Sequence, residues 1–295
     1  MLSAYTGHSD NVFSVAWSPD GRAIASAGRD RTAQIWDFTS GALYLTYRGH
    51  SDYLLSLAWS PDGRFIASGC TGGIVQVWRS DSGETIITYR GHTRFVRGLA
   101  WSPDGRFIAS GGDYGDSSIQ VWEAHSGIQL YRLADQYRIF ALSWSPQGRQ
   151  IVSASFDGTV AIRAAPDGAQ LFAYHEHDGP VYAAAWSPDG QYIASAGQDT
   201  LVRIWSPVTG RTRCVYRGHS GAVKALAWSP DSACVASGGD DRTVRAWSVI
   251  TGEEIATFNN YRSWVRSISW SPDGQYIAAA SEKTVYLTIL NGPQI

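Results

Sequence analysis

The pentapeptide WSPDG stands at residues 101–105. The same five letters recur at 17–21, 59–63, 186–190 and 270–274, with near-copies at 144–148 (WSPQG) and 228–232 (WSPDS). The leading tryptophans are Trp17, Trp59, Trp101, Trp144, Trp186, Trp228 and Trp270, so the intervals are 42, 42, 43, 42, 42 and 42 residues. A fixed period in the range of about 20–50 residues marks a repeat architecture. Seven units fill the 295-residue chain and predict a single domain over 1–295.

Each unit is a string of short strand-like segments. In residues 8–49 these are VFSVAW, RAIASAG, TAQIWDF and ALYLTYRG, each rich in β-branched or aromatic residues and bounded by Gly, Pro, Asp or Ser. That is the strand signal, with turns every 8–12 residues. WSPDG is itself a turn: proline presets φ, aspartate suits the next position, and glycine supplies a positive φ before the next strand. The pentapeptide therefore joins the first strand of a unit to its second. RDRT at 29–32 and the SG at 40–41 form the other two turns.

Four antiparallel strands make one small sheet, which cannot bury both faces alone. Seven such sheets packed face to face around an axis solve the problem and leave only short edges. The expected fold is all-β: a seven-bladed β-propeller of four-stranded antiparallel blades.

The units resemble WD repeats. Gly-His stands at 7–8, 49–50, 91–92 and 218–219, with a degenerate Glu-His at 176–177. Trp-Asp stands at 36–37, while other units end their third strand as Trp78-Arg79, Trp122-Glu123, Trp205-Ser206 and Trp247-Ser248. The resemblance covers the whole chain. The near-identity of its units (GRFIAS at 63–68 and 105–110, GQYIA at 190–194 and 274–278) resembles regular bacterial arrays, often one module of a larger signalling protein. As in related propellers, residues 1–6 should supply the outer strand of the last blade, because unit 7 has almost no fourth strand and 2–5 align with the LYLTY at 43–47.

The resemblance also assigns the repeated histidines and aspartates. It implies a structural network in which His bonds the turn Asp, and a second-strand Ser and the third-strand Trp complete the set. Unit 1 has His8, Ser26, Asp30 and Trp36; unit 3 has His92, Ser110, Asp116 and Trp122. Unit 5 has His177, Ser195, Asp199 and Trp205; unit 6 has His219, Ser237, Asp241 and Trp247. Unit 2 keeps His50 and Ser68 but has Gly72 for the Asp. Unit 4 has Asp135 for the His and Arg163 for the Trp, and unit 7 has Tyr261, Ala279 and Thr288. Blades 4 and 7 should therefore be the softest.

These assignments leave little for catalysis. Only His125 and His175 stand outside the motif, and neither belongs to a spaced ligand set, so no metal or cofactor is expected. The chain has no GxxxxGK[ST], no HExxH and no GxSxG; the nearest, GHSGA at 218–222, fails at its last position. Cys70, Cys214 and Cys234 form no CxxC and are odd in number, which reads as buried small residues in a reducing, cytoplasmic setting. With 24 Lys and Arg against 26 Asp and Glu, the net charge of −2 disfavours a nucleic-acid polyanion as ligand. No long apolar run is present, and no membrane association or self-assembly is expected.

What varies inside a regular array is where a surface becomes specific. The positions flanking the start of each first strand vary freely: Asn11/Phe13, Tyr53/Leu55, Phe95/Arg97, Arg138/Phe140, Pro180/Tyr182, Ala222/Lys224 and Trp264/Arg266. So does the residue before the turn Asp: Arg29, Thr71, Gly115, Phe156, Gln198 and Asp240. Strands alternate in direction, so these positions share one end of every blade. A two-residue insertion at 111–118 should lift Tyr114 onto the same face. The resemblance implies that this is the top face around the central opening, where peptides commonly dock.

The candidate binding set is thus Phe13, Arg29, Tyr53, Phe95, Arg97, Tyr114, Arg138, Phe140, Phe156, Tyr182, Lys224, Trp264 and Arg266. Aromatics with arginine are the composition of interface hot spots. The expected function is a non-enzymatic scaffold for a protein or peptide segment, acidic or phosphorylated. The alternatives are an enzyme or small-ligand binder at the central opening, and nucleic-acid binding by the same face.

Overall fold

A computed structural model of the chain describes residues 3–134 and 137–290. Among them it contains twenty-eight strands and no helix. They form seven four-stranded antiparallel sheets. The chain is a seven-bladed β-propeller, as the period predicts. Strands are named a to d within each blade, from the axis outward. In blade 1 they are Val12–Trp17, Ala23–Gly28, Ala33–Asp37 and Leu43–Tyr47. The a strands of blades 2 to 7 are Leu54–Trp59, Val96–Trp101, Ile139–Trp144, Val181–Trp186, Val223–Trp228 and Val265–Trp270.

The a–b turn is built as its sequence requires. Ser18 Oγ donates to Asp20 Oδ1 at 2.6 Å and accepts from the Ala23 amide at 2.9 Å, which folds WSPDG over itself. Gly21 has φ 72°, in the left-handed region that glycine enters without strain. In unit 6 a serine, Ser232, takes the same conformation at φ 62°.

The core lies between blades. One buried cluster joins Ala194, Val202, Ile204 and Tyr216 of blade 5 to Val223, Trp228, Val235 and Trp247 of blade 6. The largest fully buried side chains are the strand c tryptophans Trp36, Trp78, Trp122, Trp205 and Trp247. A strand d tyrosine of the preceding blade lies flat on each. Tyr47 stacks on Trp78 at 4.3 Å, Tyr89 on Trp122 at 4.4 Å, Tyr174 on Trp205 at 4.4 Å and Tyr216 on Trp247 at 4.9 Å.

These tyrosines, which the sequence reading passed over, also explain the glycine of the Gly-His pair. A Cβ on Gly49 would sit 2.2 Å from the Tyr47 hydroxyl. Further links run along the axis: the indole Nε1 of Trp59, Trp101 and Trp228 donates to Ala16 O, Ala58 O and Ala185 O of the preceding blade at 3.1–3.2 Å.

The ring closes as expected. Ser3–Tyr5 pairs antiparallel with Thr284–Ile289, so blade 7 takes its d strand from the other end of the chain. Met1 and Leu2, included in that expectation, lie outside the described residues, as does Asp135 of unit 4.

Candidate functional site

Every blade carries the same irregularity. The a–b ladder skips one residue near the start of strand a: the register passes from Val12 to Ser14, Leu54 to Ser56 and Val96 to Gly98. It passes likewise from Ile139 to Ala141, Val181 to Ala183, Val223 to Ala225 and Val265 to Ser267. The skipped residues are Phe13, Leu55, Arg97, Phe140, Tyr182, Lys224 and Arg266. A bulge leaves its residue out of the ladder and re-aims the side chain. All seven line one cavity of about 630 Å³, walled by the a strands of all seven blades. Its lining also includes Asp113, Arg138, Phe156, Asp240 and Trp264. The cavity falls within the range of about 300–1,000 Å³ typical of ligand sites.

Nine of the thirteen candidate residues meet here: Phe13, Arg97, Arg138, Phe140, Phe156, Tyr182, Lys224, Trp264 and Arg266. Trp264 is 47% exposed, so it stands in solvent rather than between blades. Arg29 and Tyr53 line a separate polar cleft between blades 1 and 2. There the Arg29 guanidinium lies 5.3 Å from the Tyr53 ring and 3.7 Å from Asp10. Tyr114 is exposed and outside the cavity, but Arg138 rests on its ring at 4.7 Å. Phe95 is half-buried and lines neither space.

One position is corrected. Gly115 was expected to match Arg29 and Phe156. The backbone instead matches Asp113, whose amide donates to Phe95 O as those of Arg29 and Phe156 donate to Asn11 O and Arg138 O. The two inserted residues follow this position rather than precede it. Counting back from the turn Asp therefore misplaces it, and the only sequence clue is an acid directly after the strand b glycines.

Asp113 is the charge organiser of the cavity. Its side chain is nearly buried and accepts a very short hydrogen bond from Arg97 Nε, with Arg138 Nε 3.6 Å away. Across the ring, Lys224 Nζ is 3.5 Å from Asp240 Oδ2. Four cations (Arg97, Arg138, Lys224, Arg266) face two carboxylates (Asp113, Asp240), leaving the lining at +2 in a chain of net −2.

Four of the five aromatic rings in the lining already carry one of these cations. Arg138 lies 5.0 Å from the Phe156 ring, and Lys224 Nζ lies 3.5 Å from the Tyr182 centroid. Arg266 lies between Phe13 and Trp264, at 5.2 and 5.4 Å. Phe140 packs on Tyr182 at 5.1 Å. Burial first, and the Arg97 charge second, hold Arg266 below the usual arginine pKa against the opposing pull of Asp240.

The histidine network lies beneath this surface. His8 Nδ1 sits 2.8 Å from Asp30 Oδ2 and its Nε2 2.8 Å from Ser26 Oγ, and Trp36 Nε1 donates to Ser26 Oγ at 3.2 Å. Blades 3 and 5 repeat the arrangement: His92 reaches Asp116 at 3.1 Å and Ser110 at 2.8 Å, and His177 reaches Asp199 at 3.0 Å and Ser195 at 2.8 Å. Trp122 and Trp205 complete those two sets at 3.1 and 3.2 Å. Blade 6 departs from expectation: His219 reaches Asp241 and Ser237, both at 2.8 Å, but Trp247 Nε1 has no hydrogen-bond partner among the described residues. Of the stacked indoles, Trp247 is the one from which the preceding blade's tyrosine lies furthest.

Burial raises the carboxyls of Asp30, Asp199 and Asp241, but histidine hydrogen bonds and charge outweigh it and hold each at about 2. In blade 2, without the turn Asp, burial pushes the His50 imidazole down to about 4, with Asp52 opposing. Blade 7 replaces the network with packing, Tyr261 lying edge-on to Tyr286 at 5.1 Å.

Among the described residues, no three His, Cys, Asp or Glu side chains are grouped to hold a metal ion. Nor is any helix among the described residues long and apolar enough to cross a membrane. Cys70, Cys214 and Cys234 are free thiols.

The chain belongs to the WD40 family, described as WD domain, G-beta repeat. That family matches seven segments, at 1–37, 41–79, 83–123, 127–162, 168–206, 210–248 and 252–287. Short stretches of the chain are similar to stretches of named proteins. A match of 52% identity over 40 residues is to the Periodic tryptophan protein 2 homolog of Dictyostelium discoideum, covering 14% of this chain and 4% of that one. Another is 61% identical over 31 residues to the Probable cytosolic iron-sulfur protein assembly protein CIAO1 homolog of Nematostella vectensis, covering 10% of each. A third is 42% identical over 41 residues to the protein of the same description from Ixodes scapularis, covering 14% of this chain and 13% of that one. The matched stretches span a small fraction of these relatives. All three are eukaryotic, and they lend no support to the bacterial-type array expected from the regularity of the units.

Proposed function

We propose that the chain is a non-enzymatic scaffold that binds a protein segment at the mouth of its central cavity. The observation that carries this reading is the bulge ring. Seven side chains released from their ladders converge on one space, and five of them are aromatic or arginine (Phe13, Arg97, Phe140, Tyr182, Arg266). Aromatic and arginine anchors in a concave site are the composition of binding hot spots. Membership of the WD40 family, whose members serve as interaction scaffolds, supports it. The free thiols fit a cytoplasmic setting.

The test uses a random peptide library displayed against the whole chain, wild type beside Phe140→Ala/Trp264→Ala. Both forms are first shown to unfold at similar temperature. Peptides retained by wild type and lost by the double variant are the expected result. Equal retention by both would move the site to another surface.

A further inference from the structure

The four cations of the mouth are not equivalent. Arg97 and Arg138 share Asp113, and Lys224 has Asp240. Arg266 has neither an ion pair nor a hydrogen bond among the described residues. Its guanidinium is partly buried, held between the rings of Phe13 and Trp264. Ring faces steady a guanidinium but leave its in-plane N–H donors unused. Asp240 lines the same cavity but is engaged by Lys224 rather than by Arg266. A planar fork with idle donors, fixed in orientation and partly removed from water, matches a carboxylate or phosphate two oxygens at a time. The surplus of two positive charges in the lining points the same way.

We propose that Arg266 is the seat for one anionic side chain of the bound segment, glutamate or a phosphorylated serine. This rests on the mouth being the binding site. An incoming cation is disfavoured by the positive balance of the lining and because the rings of Phe13, Phe156, Tyr182 and Trp264 already carry Arg266, Arg138 or Lys224.

The test uses four pools of random uncharged nonapeptides whose central residue is fixed as Glu, phosphoserine, Gln or Lys, applied to the whole chain. Wild type should retain the Glu and phosphoserine pools about tenfold over Gln, the factor of one charge-assisted hydrogen bond, with Lys lowest. Preference for phosphoserine over Glu assigns the seat to phosphate, and equality assigns it to either anion. Arg266→Gln should bring the Glu-to-Gln ratio to about one, read as a ratio so that any general loss of retention cancels, and Arg266→Lys, which keeps charge but not the fork, should fall between. Equal retention of all pools by wild type, or an unchanged ratio in Arg266→Gln, overturns the anion seat yet leaves the mouth as the binding site if Phe140→Ala/Trp264→Ala still loses the peptides. Retention of no pool overturns both.

Discussion

Tyr5 lies parallel to Trp36 with ring centroids 4.4 Å apart and an interplanar angle of 7°. The two belong to different blades: Tyr5 sits on the d strand of blade 7, and Trp36 on strand c of blade 1. The Tyr5 hydroxyl also donates to Gln34 Oε1 at 2.7 Å. Among the described residues the closing strand is Ser3–Tyr5, and this stack is the broadest aromatic contact it makes across the seam.

Tyr5→Ala should therefore destabilise the ring by about 3 kcal/mol, the scale of a buried aromatic truncated to alanine. Thermal unfolding should fall by roughly 5–10 °C for a chain of this size. Tyr5→Phe, which keeps the stack and loses only the hydroxyl, should cost about 1 kcal/mol. An unchanged midpoint in Tyr5→Ala would mean that the seam is held by the ladder alone.

His50 makes blade 2 the acid-sensitive blade. Its folded pKa of about 4 lies below the ordinary value of 6.5. Protons therefore bind the unfolded chain first, and the stability tied to neutral His50 is complete above about pH 6.5 and lost as the pH falls toward 4. The span corresponds to about 3 kcal/mol. Asp30, Asp199 and Asp241 act in a lower window, their contribution being complete above about pH 4 and lost as the pH falls toward 2. Denaturant unfolding measured from pH 7 to 4 should slope downward in wild type and flatten in His50→Gln. A slope that survives the substitution would assign the effect to other groups.

Asp113→Asn should free Arg97 and Arg138 and raise the net charge of the mouth by one. Retention of the Glu pool should rise about threefold or more, with a steeper loss on adding salt. Stability should fall by about 1–3 kcal/mol, because two guanidinium groups lose their shared carboxylate. Binding measured at two ionic strengths, alongside urea unfolding, checks both halves.

The blades, their four strands and the closing of the ring were legible because a fixed period, β-rich segments and turn chemistry all point to one architecture. The variable positions were legible for the same reason, since Phe13, Arg97 and Phe140 interrupt an otherwise regular text. Other features lay beyond that reading. Tyr47 looks like an ordinary strand residue until its ring is seen on Trp78. Asp113 was missed because a loop insertion shifts the count without shifting the backbone. The unpartnered Trp247 indole and its wider stack on Tyr216 have no counterpart in the unit's motif, which in blade 6 is complete.

The bulges separate two tasks that share one strand. A residue outside the ladder carries no register, so changing its side chain leaves the pairing on either side intact. Each blade thus holds one letter that can be rewritten without respelling the rest, and seven such letters face one another across a single opening. Evolution or a protein engineer can compose new words in that alphabet while the page they are written on stays the same.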